Sequence, residues 1–299
     1  PRSNVPTRLE PFIDWYISRR HQKESTVETW MKCRGNLIRY FGSDRLIDSI
    51  TACDGEAWRA WLGVEGNIRE GRKRKDKHGN AIQGKKSLSD NTVRKRTGIA
   101  KQFFAYAIKS KLIAENPFSG LVASVHGNES RQFFVTLDSY QSALNAAPSL
   151  EWKAILALGR IGGLRNPSET MRLRWEDINF EKGRMCIHSS KTEHHQDGGV
   201  RYCPLFPELR VLLEQLSQLA FSEGATLQDP VIPTCRGSES YMRTGFTRIL
   251  KSAGIKPWPI LFQNMRASRQ TELIGKYPLK DVCSWMGNSQ AVAMKHYAM

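Results

Sequence analysis

Apolar residues recur at helical spacing through most of the chain. In the first 120 residues, this pattern predicts helices in the segments PFIDWYISRRH, TVETWMKCRGNLIRYFG, DGEAWRAWL and NTVRKRTGIAKQFFAYAIKSKLI. We expect Gly42 to end the second helix, Asp54 to cap the third, and Ser89 or Asp90 to cap the fourth. The N-terminal region is therefore predicted to be all-α.

The fourth of these helices is amphipathic. Its apolar stripe, which we assign to a core, consists of Val93, Ile99, Phe103, Phe104, Ala107 and Ile108. Its other face is basic and carries Arg94, Lys95, Arg96, Lys101 and Lys109. Such a face is either simply solvated or turned towards a groove of nucleic acid.

Proline, glycine, serine and asparagine are concentrated in residues 115–132, ENPFSGLVASVHGNESRQ, which is typical of a domain boundary. We predict a helical domain at residues 1–120, a linker at 121–132 and a second domain at 133–299.

The second domain is predicted to combine helices with a small sheet. Helical periodicity occurs around LDSYQSALNAA and LEWKAILALGRIGG, and a further helix, SETMRLRW, is expected to begin at Pro167 and Ser168. Strand-like alternation follows in EDINF, RMCIHSS and VRYCPL, and the remainder is helical. The predicted fold class is mainly α with a small β-sheet, the second domain being α+β.

The composition is strongly basic, with a formal net charge of +16 and a sequence pI of about 9.8. A polyanion is the favoured partner, and nucleic acid is favoured over a membrane because no apolar run approaches the ~20 residues that span a bilayer. The polar start of the chain does not resemble a signal peptide, and its first residue is proline, as in a trimmed chain. The six cysteines form no CxxC pair and no zinc-type spacing with histidine, so we expect reduced thiols, no metal site and a cytoplasmic location.

Residues 67–90 form a basic segment, with eight lysines or arginines against three acidic residues. Its candidate DNA-binding side chains are Arg72, Lys73, Arg74 and Lys75, together with Arg94, Lys95, Arg96 and Lys101 of the following helix. The segment is either an extended ribbon that contacts phosphates or a solvated insertion.

Six side chains are candidates for chemistry: Arg165, Lys191, Gln263, Arg266, Asn288 and Tyr297. Arg165 follows two glycines that can end a helix and project the next side chain into a cleft. Gln263 and Arg266 stand at the start of a predicted helix, where free backbone N–H groups favour an anion. Taken singly, these residues also fit ordinary roles, such as a surface arginine, a solvated hairpin lysine or a packed tyrosine.

Together, these side chains suggest attack on a phosphodiester. The guanidiniums of Arg165 and Arg266 can hold the two free oxygens of a phosphate by paired hydrogen bonds. The phenol of Tyr297, helped to ionise by nearby positive charge, can attack the phosphorus and form a phosphotyrosine. Lys191 can protonate the leaving oxygen.

The order of these residues resembles the tyrosine recombinases of the phage-integrase family. GGLRNPSETMRLRWEDI resembles the family's first box, SSKT its β-hairpin lysine, QNMR its His-x-x-Arg box and MGNS its Gly-His box. The resemblance covers residues 133–299, and the Asn288-to-Tyr297 spacing agrees with it. Residues 1–120 are similar in type to the family's SAM-like core-binding domain. The NPF linker looks most like that of integrases from planctomycete bacteria.

The chain departs from the family pattern at several positions. Gln263 stands where the family usually has histidine, and Asn288 stands where it has histidine or tryptophan. Both residues keep a hydrogen-bond donor but cannot trade a proton, so we expect them to affect rate more than reaction type. One extra residue separates Arg165 from Glu169. Family members often continue beyond the tyrosine into a tail helix, whereas this chain ends two residues after Tyr297.

The resemblance implies site-specific recombination of double-stranded DNA held between the two domains, through a 3′-phosphotyrosine. It implies no cofactor and no metal, a homotetramer on two DNA sites, and a nucleoid-associated protein of the bacterial cytoplasm. Two alternatives remain open: a type IB topoisomerase-like activity, and a catalytically impaired DNA-binding protein of the same fold. A metal-dependent nuclease is disfavoured because no carboxylate cluster suited to Mg²⁺ is evident.

Overall fold

The computed structural model divides into two compact units, Pro1–His126 and Gly127–Met299, each with its own hydrophobic core. The described residues are 5–67, 74–75, 81–82, 86–189, 199–234 and 239–296. Among them, no helix combines the length and the apolar character that crossing a bilayer requires. The five described cysteines form no disulfide.

In the described part of the first unit, the chain forms four helices, as the periodicity predicts. They are α1 (Leu9–Ser18), α2 (Glu24–Phe41), α3 (Ala52–Glu65) and α4 (Asp90–Lys109), with a short antiparallel pair, β1 (Arg74–Lys75) and β2 (Ala81–Ile82), between α3 and α4. Aromatic rings fill its core, with Tyr16 edge-on to both Trp30 and Phe103.

The expected C-terminal end of α2 at Gly42 is confirmed, whereas the expected N-cap of α3 at Asp54 is wrong. Gly42 ends α2 at a φ of +88°, and its N–H donates to the Ile38 carbonyl at 2.8 Å. The N-cap of α3 is Thr51, not Asp54. The Asp54 N–H donates to Thr51 Oγ1 at 3.2 Å while the Thr51 N–H donates to Asp54 Oδ2 at 3.0 Å, so the aspartate acts three residues into the helix as the second half of a capping box.

Helix α4 corrects two further expectations about which face a residue occupies. Arg96 is buried and donates from Nη1 to the Thr29 carbonyl at 2.9 Å, because it lies three residues from both Val93 and Ile99 and so falls in the apolar stripe. Ile108, expected in that stripe, is 38% exposed at the last turn of the helix. Arg96 therefore does not belong to a solvent-facing basic surface.

Where the second unit is described, a central helix is packed among six others and a small sheet. Its helices are α5 (Leu137–Asn145), α6 (Leu150–Arg160), α7 (Pro207–Ser222), α8 (Glu239–Ser252), α9 (Leu261–Ile274), α10 (Leu279–Met286) and α11 (Gln290–His296). The antiparallel sheet has the order β3 (Ile178–Asn179), β4 (Arg184–His188) and β5 (Val200–Pro204). Helix α6, buried along most of its length, packs against α7 and α9. The predicted fold class, mainly helical with a small sheet, is confirmed.

The segment after Pro167 does not form the predicted helix. Residues 166–172 are turns, held in part by the Met171 N–H on the Pro167 carbonyl at 2.9 Å. A helix cannot run through this segment because the chain becomes extended at residues 173–174, where the Leu173 carbonyl accepts from the Val231 N–H at 2.9 Å. The predicted strand EDINF is likewise reduced to β3, since residues 175–177 form a 3-10 turn.

Candidate active site

Three of the predicted site residues, Arg165, Arg266 and Asn288, come together in the second unit. Arg165 follows the C-terminal end of α6, Arg266 lies in the second turn of α9, and Asn288 follows α10. The turn between α6 and Arg165 requires glycine at position 163. Gly163 has a φ of +65°, and a Cβ added to it would lie only 2.6 Å from Met286 Sδ. The two glycines therefore end the helix and direct Arg165 as the sequence predicts.

Arg165 is held by several hydrogen bonds yet remains partly accessible. Its backbone N–H and its Nη1 donate to the two carboxylate oxygens of Glu169 at 2.7 and 2.6 Å, and Nη2 donates to the Gly287 carbonyl at 2.6 Å. Nη1 also lies 3.3 Å from Ser189 Oγ, and 19% of the side chain is exposed. The one-residue insertion between Arg165 and Glu169 thus still allows both to contact each other.

Glu169 is the anionic centre of this cluster, and its main partner is Arg201 of β5. Arg201 donates from Nη1 to Oε1 at 2.8 Å and from Nη2 to Oε2 at 2.7 Å, while its Nε donates to the Trp285 carbonyl at 2.7 Å. Burial raises the pKa of Glu169, but the hydrogen bonds and charge of Arg201, with the charges of Arg165 and Arg266, outweigh it and lower the pKa to about 2. Three guanidiniums against one carboxylate leave this cluster with an excess of positive charge.

Arg266 is covered rather than open. Its side chain is 1% exposed, and Nη1 and Nη2 donate to the carbonyls of Gly163 and Met286. Nη1 also lies 4.0 Å from Glu169 Oε2. The structure therefore differs from the alternative of a helix-surface arginine near Glu272, whose carboxylate is instead bound by Arg160.

The side chain of Asn288 is occupied by another amide. Its Nδ2 donates to Gln270 Oε1 at 3.0 Å, and Gln270 Nε2 donates back to Asn288 Oδ1 at 3.3 Å. Gln270 is fully buried one turn after Arg266 on α9. Gln263, by contrast, is exposed near the start of that helix.

An open groove of about 490 Å³ lies beside this cluster, between β5 and the end of α10. It is lined by Gly199, Val200, Arg201, Lys280, Cys283, Ser284, Gly287, Asn288, Ser289 and Gln290. Gly287 joins the groove to the cluster, because its carbonyl accepts from Arg165. Lys280 adds an exposed cation that the sequence analysis did not select.

Helix α9 is also tied to the segment that enters the second unit. The Val135 N–H donates to Ser268 Oγ at 2.7 Å, and the Arg131 carbonyl accepts from Asn264 Nδ2 at 2.9 Å. The Val135 carbonyl accepts from Nη2 of the buried Arg160 at 2.9 Å. The helix that carries Arg266 is thus fixed to the entering chain through Asn264 and Ser268.

Several predicted residues lie outside the described part of the chain. These are Lys191, Tyr297, Arg72 and Lys73. Arg74 and Lys75 form strand β1. The meeting of the phenol and the hairpin lysine with Arg165 therefore stays a prediction.

The basic residues of α4 are used in different ways. Arg94 donates from Nε to Asp90 at 2.6 Å and from Nη1 to the Ser124 carbonyl at 3.2 Å. Lys101 Nζ donates to the Ser119 carbonyl at 2.7 Å, and Lys95 is exposed. Among the candidate residues of α4, Lys95 is the one whose side chain faces solvent most openly.

The sequence analysis missed Glu169, Arg201 and Gln270 as parts of the site. A weak signal existed for Arg201, since it alternates with Cys203 on the inward face of β5, where a charged residue requires a buried partner. Gln270 follows Arg266 by four residues, which places both on one side of α9. The partners of these residues come from distant segments, so the sequence alone does not identify them.

Two family models match the chain. The phage integrase family matches residues 133–299, and the phage integrase SAM-like domain matches residues 8–125. No curated protein matches significantly.

The fold is shared with several solved structures of low sequence identity. A lambda integrase dimer bound to a COC′ core site is 18% identical, with a TM-score of 0.72 over 100% of this chain and 79% of the other. The Tn1549 transposon integrase in complex with transposon right end DNA is 18% identical, with a TM-score of 0.74 over 98% and 95% of the two chains. A lambda integrase tetramer bound to a Holliday junction is 18% identical, with a TM-score of 0.69 over 96% and 76%.

Proposed function

Because the chain belongs to the phage integrase family, we propose that it is a site-specific recombinase that cleaves and rejoins double-stranded DNA through a 3′-phosphotyrosine. The observation that carries the proposal is the convergence of Arg165 and Arg266, 101 positions apart, around Glu169 and the carbonyls that precede Asn288. The net charge of +16 supports DNA as the substrate. A tetramer on two sites is proposed by analogy with the lambda integrase tetramer on a Holliday junction.

In this mechanism, Arg165 is the arginine that first contacts the phosphate. Its guanidinium is partly exposed beside the groove, and Glu169 fixes its orientation. Arg266 contributes positive charge from its buried position and holds the Gly163 and Met286 carbonyls in place. This excess of fixed positive charge stabilises the five-coordinate phosphorus more than the ground state, because negative charge accumulates on the phosphate oxygens in the transition state.

The covalent step is assigned to Tyr297 and Lys191, which lie outside the described part of the chain. The phenolic oxygen of Tyr297 gives its proton to solvent water and bonds to phosphorus, and the bond from phosphorus to the 5′ oxygen breaks. The ammonium of Lys191 supplies a proton to the departing 5′ oxygen. A 5′ hydroxyl from another strand then reverses the step, so no external energy source is consumed.

The test is trapping of a covalent protein–DNA adduct. Duplexes that the protein binds are selected from a random library, and a nick is introduced a short distance downstream of each position in turn. After cleavage, the short fragment that carries the freed 5′ hydroxyl is then lost, and the reverse step is prevented. We expect the wild type and Tyr277→Phe, a matched change at an exposed tyrosine, to give an SDS-stable adduct. Tyr297→Phe is expected to bind equally but to give none. An adduct with Tyr297→Phe, or its absence with the wild type on a bound duplex, contradicts the proposal.

A second candidate function is DNA binding without efficient cleavage. Two observations favour it: Arg266 is covered, and the Asn288 amide is paired with Gln270. This function predicts salt-sensitive binding and no adduct. A plasmid relaxation assay with the same protein distinguishes a topoisomerase-like activity from recombination. A topoisomerase-like enzyme would relax a supercoiled plasmid that lacks any paired recombination site.

A further inference from the structure

The hairpin of β3 and β4 brings together three side chains that the proposed strand transfer does not use. His188 Nε2 lies 3.0 Å from Asp177 Oδ1 and 3.8 Å from Cys186 Sγ. All three of these atoms lie within 4.8 Å of one another. They form the one group of three metal-ligating side chains found among the described residues.

The sheet register explains why these residues meet. Ile178 pairs with Met185, so Asp177, just before β3, lies beside Cys186. Cys186 and His188 are two residues apart on β4 and therefore project from the same face, opposite the buried Met185 and Ile187. The sequence analysis found no zinc-type spacing, because a Cys-x-His pair on a strand becomes a site only when a third ligand is supplied from the neighbouring strand.

The geometry points to a Zn²⁺ site formed by Asp177, Cys186 and His188, which we propose for this protein. Zinc bonds of about 2.0–2.3 Å in a tetrahedron place the ligand atoms about 3.3–3.6 Å apart, within a few tenths of an ångström of the two measured separations. Sulfur, imidazole nitrogen and carboxylate oxygen are all ligands that zinc accepts. The His188 side chain is 52% exposed, so water has access to a fourth position.

The surroundings also suit a fixed ligand. Asp177 Oδ2 accepts from the Arg174 N–H at 2.9 Å, which orients the carboxylate, while Oδ1 lies 3.0 Å from His188 Nε2. The nearest basic side chain on β4, Arg184, stacks on the ring of Tyr202 with its Cζ 4.5 Å from the centroid. The residue after His188 is Ser189, whose hydroxyl lies 3.3 Å from Arg165 Nη1. A metal here therefore fixes the end of the strand that contacts the proposed phosphate-binding arginine.

The experiment uses Co²⁺ as a spectroscopic probe for Zn²⁺. The reduced, chelator-treated full chain is titrated with Co²⁺ while the thiolate-to-cobalt charge-transfer absorption is recorded, and Zn²⁺ is then added in competition. We expect one equivalent of Co²⁺ to bind with this absorption and to be displaced by Zn²⁺. Cys186→Ser should abolish the absorption, and His188→Ala should weaken binding about tenfold or more, since loss of even an outer partner of a metal ligand typically costs that much.

The matched controls are Cys53→Ser and His21→Ala, which remove an exposed cysteine and an exposed histidine of the first unit. Both should titrate as the wild type does. His188→Ala alters a half-exposed side chain, so it tests the site even if Cys186→Ser folds poorly. Absence of the charge-transfer absorption in the wild type, its retention in Cys186→Ser, or unchanged affinity in His188→Ala overturns the assignment.

Discussion

Arg201 holds Glu169 through two parallel hydrogen bonds, Nη1 to Oε1 at 2.8 Å and Nη2 to Oε2 at 2.7 Å. Both side chains are almost fully buried, at 8% and 1% exposure. Arg165 uses the same carboxylate, so the buried pair in turn orients the arginine that is open to the groove. This relationship makes Arg201 a positioning residue for the site.

We expect Arg201→Met to lower the free energy of unfolding by about 3 kcal/mol, because removing one partner of a buried ion pair leaves the other charge uncompensated. The measurement is denaturant-induced unfolding, monitored with a spectroscopic probe that reports on the second unit. Arg210→Met removes a comparable arginine from an exposed pair with Glu214 and should cost about 0.5 kcal/mol or less. Equal losses in the two variants would contradict the role given to Arg201.

The pKa of Glu169 predicts an acid dependence of stability. Its pKa falls from 4.5 to about 2 on folding, because Arg201, Arg165 and Arg266 overcome the effect of burial. A carboxyl whose folded pKa is depressed stabilises the protein fully above its unfolded pKa and loses that contribution as pH falls towards the folded pKa. The difference in unfolding free energy between wild type and Glu169→Gln should therefore be constant above about pH 4.5 and shrink towards about pH 2. A difference that grows on acidification would exclude this ionised carboxylate.

Arg165→Ala should reduce strand cleavage by about 100-fold or more, since loss of one preorganised donor to a developing oxyanion has that effect elsewhere. The rate is measured as adduct formation on the nicked duplex at saturating protein. Arg243→Ala, at an exposed position of α8, is the control and should cleave as the wild type does. Because the net charge of +16 leaves many other cations to contact the phosphates, DNA binding should persist in the variant, so a parallel loss of binding would argue against a role in the chemical step.

The amide pair of Asn288 and Gln270 should be strongly coupled in stability. Asn288→Ala leaves the buried Gln270 amide without this partner, which typically costs about 1–3 kcal/mol. Gln270→Met should cost a similar amount, whereas the double variant should cost less than the sum of the two, because no orphaned amide remains. A double-mutant cycle by denaturant unfolding measures the coupling, and strict additivity would mean that the two amides do not support each other.

Substitutions of two neighbours on α4, Lys95 and Arg96, should differ in their effect on the salt dependence of DNA binding. Lys95 is exposed, so Lys95→Ala should weaken DNA binding on all sequences and reduce the slope of log affinity against log salt by about one. Arg96 is buried on the Thr29 carbonyl, so Arg96→Ala should leave that slope unchanged and lower the Tm of the first unit by several degrees. A reduced slope in Arg96→Ala with an unchanged Tm would show instead that Arg96 contacts DNA.

Local signals were sufficient for most of the fold. Helical periodicity predicted the helices of both units, and Gly42 and Gly163 ended α2 and directed Arg165 as expected. Arg96 was misassigned because charge was given more weight than its position in the apolar stripe. The helix predicted after Pro167 does not form, because the segment continues into an extended stretch that pairs with residues 230–231, a tertiary contact that no local pattern records.

The site was predictable to a smaller extent. Motif order identified Arg165 and Arg266, and the structure brings them together around Glu169. The two arginines differ in exposure, since Arg165 is partly open to the groove and Arg266 is buried. That difference depends on how α9 and α10 pack, which the motif order does not record. Arg201 and Gln270 were missed for a related reason, since each belongs to the site through a partner from another segment, Glu169 and Asn288 respectively.

The hydrogen bond from the Val135 backbone to Ser268 has a mechanical consequence. Ser268 and Arg266 are separated by about half a helical turn. Because the Arg131 carbonyl also accepts from Asn264 of the same helix, tension along the chain that enters the second unit acts directly on the helix that carries the buried guanidinium, at two points that flank Arg266.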